Sequence, residues 1–72
     1  MSFTDRDMEL LNKLAEIAKL ASNVTLAESI EAKDADGILM YAEVAAGSRQ
    51  IMYHMAEVRK VDRAKLWDTF DI

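Results

Sequence analysis

A chain of 72 residues with a formal net charge of −4 and no cysteine makes a single domain, 1–72, without disulfides or thiolate zinc sites. At that size a core rarely supplies more than about 3–5 kcal/mol unaided, so self-association or docking on a partner is the candidate source of further stability. A pI near 4.8 disfavours free-standing DNA or RNA binding, and 51% hydrophobic with 31% charged residues describes a globular chain, not a disordered one.

The N-terminal Met-Ser-Phe-Thr-Asp-Arg-Asp lacks the basic-then-apolar layout of a signal peptide. No apolar run approaches the roughly 20 residues of a membrane span, so the expected location is the cytoplasm. Thr4 followed by Asp5 and Asp7 predicts a capped helix start. Leu10, Leu14, Ile17, Ala21 and Val24 recur at alternating steps of three and four, with Leu11 and Ala18 beside them. Glu9, Asn12, Glu16 and Lys19 take the other face. This predicts an amphipathic first helix with that stripe inward. Ser22-Asn23-Val24-Thr25 interrupts the pattern, and Thr25-Leu26-Ala27-Glu28 reads as a capping box. A kink or break is expected there, then a short second helix with Leu26, Ala27 and Ile30 inward. The alternative is one helix continuing to about residue 33.

Lys33 to Gly37 reads as a turn, and a long helix is expected over residues 38–60. Its Met40, Tyr41, Val44, Ile51, Met52, Met55 and Val58 gather on one wide face, taken as core. Ile38, Ala42, Ala45, Ala46, Tyr53 and Ala56 form a second face of mostly small residues. A helix apolar on two sides is buried on two sides. Ile38, Ala42, Ala46, Arg49 and Tyr53 are therefore the candidate interface, and a homodimer is one way to cover them. Gly47-Ser48 in mid-helix suggests a kink or a close helix–helix approach. Asp62 caps a last short helix, with Leu66, Trp67 and Phe70 folding back on the bundle.

Among motifs, Asp34, Asp36, Gly37 and Glu43 match part of an EF-hand loop, but Ala32 stands where the leading carboxylate belongs. A capped turn explains the same residues, and neither metal nor cofactor is expected. His54 and Glu57 lie one turn apart, but no nucleophile or orienting partner accompanies them, so no enzyme is predicted. Arg59, Lys60, Arg63 and Lys65 beside Trp67 are the candidate anion or nucleic-acid contact. They serve equally as cations at a helix C-terminus.

Thr25-Leu26 with Ile30-Glu31, Ala45-Ala46 with Arg49, and Trp67 with Phe70 give an order of elements that resembles the Hha/YmoA family of small helical nucleoid modulators. The resemblance implies action through a DNA-binding protein. That family uses an acidic residue ahead of the arginine where this chain has Gly47, and this chain is more acidic, so it is not assigned to the family.

The expectation is an all-α bundle of three to four helices: an amphipathic N-terminal helix, a short second, a long central and a short C-terminal one. Its expected role is protein binding, as a regulator or inhibitor of a larger protein, of the phage or plasmid type. The alternative is a nucleic-acid-associated modulator acting with or on a DNA-binding protein.

Overall fold

Thr4 starts the first helix as its chemistry dictates. In the computed structural model, which describes residues 2–72, the Thr4 hydroxyl accepts from the Asp7 N–H at 3.0 Å. The Asp7 carboxylate accepts in return from the Thr4 N–H at 3.0 Å, completing a capping box. Helix α1 spans Asp5–Leu20 and passes through a π-helical segment, Ala21–Thr25, into α2, Leu26–Glu31. Helix α3, Ala35–Arg59, runs back along α1, and α4, Ala64–Phe70, closes the bundle. The fold is all-α, with no strand among the described residues.

In place of the kink or break expected at Ser22–Thr25 the chain stays helical through a widened turn, as in the continuous-helix alternative. Thr25 does not cap α2, because its hydroxyl donates back to the Ala21 carbonyl at 3.2 Å. Ser22 does the same to Ala18 at 2.9 Å. Such back-bonding satisfies the hydroxyls while the chain stays helical. Nor do Ala27 and Ile30 point inward: both are exposed, Leu26 is half-buried, and Ser29 is the buried residue of α2.

The following turn is tighter than the sequence suggests. Lys33 takes the left-handed conformation (φ 56°), and Asp34 caps α3 by accepting from the Gly37 N–H at 3.1 Å. Gly37 is thus inside the first turn of α3, not in the loop. Its role is space, since a Cβ there would collide with the Asp34 carboxylate and the Ser29 hydroxyl.

Small residues form the seam between α1 and α3. The buried set is Leu11, Ala15 and Ala18 of α1, Ala21 in the π segment, and Ala45, Ser48, Met52 and Ala56 of α3. Small side chains let helices approach closely. Ser48 is no liability, because its hydroxyl donates to the Val44 carbonyl at 2.7 Å.

This seam corrects the expected register. Leu10, Ile17 and Val24 of the predicted inward stripe are exposed and Leu14 is half-buried; Ala21 is buried, as are Leu11 and Ala18 on the side where they widen the stripe. On α3, Met40, Val44, Ile51 and Val58 are exposed, while Tyr41 and Met55 are half-buried and Met52 is buried. The stripes 10/14/17 and 11/15/18 differ by one residue, or about 100° of helix rotation. Periodicity alone favours the bulkier stripe; close approach selects the smaller one.

After Arg59 the chain turns through Lys60, again left-handed (φ 57°), and Val61 is buried. The Asp62 carboxylate accepts from the Ala64 N–H at 3.0 Å, while Arg63, directly before α4, makes no side-chain cap bond. Leu66 and Phe70, one turn apart, join the core. Trp67 does not fold back with them and is 63% exposed.

Candidate docking surface

Helix α4 covers one side of the α1–α3 hairpin. Its Leu66 and Phe70 join a cluster that includes Met8 and Tyr53, and the Arg63 guanidinium sits 5.1 Å from the centre of the Tyr53 ring. The opposite side carries no helix. There α1 exposes Leu10, Ile17 and Leu20. Helix α3 exposes Met40, Val44, Ile51 and Val58 alongside. Between the two stripes lies a shallow groove of about 130 Å³ lined by Ile17, Leu20, Ala21, Thr25, Tyr41 and Val44. Toward the other end, Met55 and Val58 line a second depression with Asp7, His54 and Arg59.

Seven exposed apolar side chains, Leu10, Ile17, Leu20, Met40, Val44, Ile51 and Val58, thus lie on the two helices of the hairpin. Single exposed hydrophobic residues are ordinary, but several gathered on one side of a two-helix hairpin are not.

The residues expected to form an interface lie along the other flank of α3. Ala42 and Ala46 are exposed, and Ile38 is half-buried. Arg49 is half-buried and donates to the Ser22 hydroxyl at 3.3 Å, tying α3 to the π segment. Tyr53 is half-buried against the α4 cluster. Thus the lower part of that flank is occupied within the chain, and only its alanine end is open. The residues of the larger face were assigned inward or passed over in the sequence. The signal that places them outside is the alternative stripe of alanines at 15, 18, 45 and 56.

The four cations of the C-terminal cluster do not form one patch. Arg59 reaches α1, with its Nε 2.6 Å from Asp7 Oδ2 and its Nη2 3.2 Å from Oδ1. This two-point contact is the geometry that suits guanidinium and carboxylate. Its hydrogen bond to Arg59, and then that from the Thr4 backbone, hold the Asp7 carboxyl below its ordinary range, while Asp7 raises Arg59. Arg63 is spread over Tyr53, a cation–π contact. Lys60 and Lys65 are exposed.

Asp34 is used as a cap, and among the described residues no three of His, Asp and Glu converge to hold a metal ion. His54 and Glu57 lie exposed on α3. No helix of the described residues is long and apolar enough to cross a membrane. Compared with protein-family models, curated proteins and solved structures, the chain matches none.

Proposed function

We propose that this chain is a helical protein-interaction module, a regulator or inhibitor that acts by docking on another polypeptide and not by catalysis. One observation carries this reading: the apolar face shared by α1 and α3 lies open while α4 covers only the opposite side. Burying such a face is the main favourable term in most protein association. The alanine end of the other flank, Ala42 and Ala46, offers a smaller second surface for a larger partner. The cation cluster favours the nucleic-acid alternative less, because Arg59 and Arg63 are already engaged within the chain.

Ile51→Lys tests the reading. Ile51 is 50% exposed, so a lysine there leaves the fold intact but puts a charge into the face. The expected result is an unchanged helical circular dichroism spectrum together with loss of every stable polypeptide complex the wild-type chain forms, with itself or with others. Complexes that persist in the variant would contradict it, as would a wild-type chain that forms none.

A further inference from the structure

We propose that the apolar face of α1 and α3 is covered by a second copy of this chain. The two copies are related by a two-fold axis running along the helices, so that α1 of each lies against α3 of the other and Gly47 marks the close approach. The proposal rests on the interaction-module reading and names the occupant of that face.

Gly47 is the first reason. Glycine is the least favourable residue after proline in a helix interior, yet α3 runs unbroken through it with no positive φ. Nothing in the chain requires it, because beyond its own helix backbone a Cβ at Gly47 would meet no atom within 4 Å. The contrast with Gly37, which is crowded by its own chain, is direct. Gly47 lies in line with Met40, Val44, Ile51 and Val58. A glycine that faces empty space on an apolar stripe is explained by a backbone approaching from outside.

The spacing is the second reason. Met40, Val44, Gly47 and Ile51 follow steps of four, three and four, and Val58 follows Ile51 by seven. Leu10 and Ile17 are likewise seven apart on α1, before the π segment widens the turn. Heptad spacing keeps one stripe turned toward a partner helix along its length.

Charge selects a copy of the same chain. Arg6 and Lys13 border the stripe on α1, with Glu9, which pairs with Arg6 at 2.9 Å, one step further out. Glu43 and Glu57 border the stripe on α3, with Gln50 and His54 between them. Over Arg6, Glu9 and Lys13 the α1 edge carries a net positive charge and the α3 edge a negative one, so the face complements itself when α1 meets α3 of a second copy. The Asp7–Arg59 contact sets the two helices level with one another. A two-fold axis along the helices preserves that level and places Arg6 within about one helical turn of Glu57 of the second copy. The alternative axis, across the helices, would set basic edge against basic edge. An isologous interface needs this kind of self-complementarity. Ala42 and Ala46 remain outside the pair and free for a larger partner.

Sedimentation equilibrium of the purified chain at micromolar concentration is the test. The expected species has twice the 8.1 kDa chain mass. Gly47→Leu should raise the dimer dissociation constant at least tenfold with helicity retained, and Gly47→Ala should raise it less, since either side chain enters open space in the single chain. Arg6→Glu should weaken the dimer, and adding Glu57→Arg to the same chain should restore it. A wild-type chain that stays at 8.1 kDa throughout, or a Gly47→Leu dimer of unchanged affinity, would overturn the proposal. A purified monomer that captures a foreign protein through Ile51 would overturn the second copy but leave the module reading standing. A monomer that captures nothing would end both.

Discussion

Gly37→Ala probes the junction that sets α3 on α2. A methyl group there would meet the Asp34 carboxylate and the buried Ser29 hydroxyl. Relieving the first contact sacrifices the Asp34 cap, worth typically about 1 kcal/mol. Relieving the second strains a packed site, at about 1–3 kcal/mol. Alanine's better helix propensity returns about 1 kcal/mol. The net expectation is a loss of about 1–3 kcal/mol, or a Tm lower by roughly 5–20 °C for a domain of this size. Urea and thermal unfolding followed by circular dichroism, at one fixed protein concentration, measure it. Ser29→Ala in the same chain should recover part of the loss, because it removes one of the two clashing groups and residues in contact couple. Should Gly37→Ala equal or exceed the wild type in stability, propensity alone would be deciding the outcome and the crowded junction would be wrong.

Three further outcomes follow from individual residues. Lys60 sits in the left-handed region at the end of α3, where glycine carries no Cβ penalty, so Lys60→Gly should stabilise the domain by about 1 kcal/mol in urea unfolding; a loss of stability would show that the lysine side chain makes a contact that matters there. Because the Asp7 carboxyl is held below its ordinary value in the folded chain, its contribution is fully present above the unfolded pKa of about 3.9 and is lost as pH falls through the lower folded value. Asp7→Asn should therefore flatten the acid limb of stability against pH below about pH 4, and an identical acid limb would contradict the Arg59 contact. Lys60, Arg63 and Lys65 replaced together by alanine should leave electrophoretic mobility of duplex and single strands unchanged at low salt, since the wild-type chain, at a net charge of −4, is expected to retard neither; retarded bands that vanish in the triple variant would promote the nucleic-acid reading.

The helix inventory was legible because caps and turns are local chemistry. Thr4 with Asp7 marks a start that the structure keeps, and Asp62 bonds into the start of α4, whereas α3 begins at Ala35, ahead of the expected residue 38, because two aspartates, Asp34 and Asp36, could each have been the cap. The register was not legible. Leu10 and Leu11 are adjacent and equally apolar, and only the third dimension decides which faces α3. The choice fell to alanines 15, 18, 45 and 56, whose contribution is the closeness they permit, a quantity that single-residue hydrophobicity does not contain. Thr25-Leu26-Ala27-Glu28 carried a capping signal that lost to continuity, because Thr25 could bond to Ala21 without interrupting the helix. The apolar face was hidden for the same reason as the register, since its residues had been assigned to the core.

Methionine oxidation tests the central claim most directly, because α3 carries Met40 on the open face and Met52 in the seam. Met40 is 51% exposed and Met52 is fully buried. Oxidation converts the thioether to a polar sulfoxide at a rate that follows exposure, and mass spectrometry of peptides resolves the two sites. In dilute solution Met40 should react rapidly and Met52 slowly. On concentrating the chain, Met40 should become protected while Met52 stays as it was. Two methionines protected alike at every concentration would contradict the register, and a Met40 that reacts rapidly at every concentration, with or without a partner protein, would contradict the docking face.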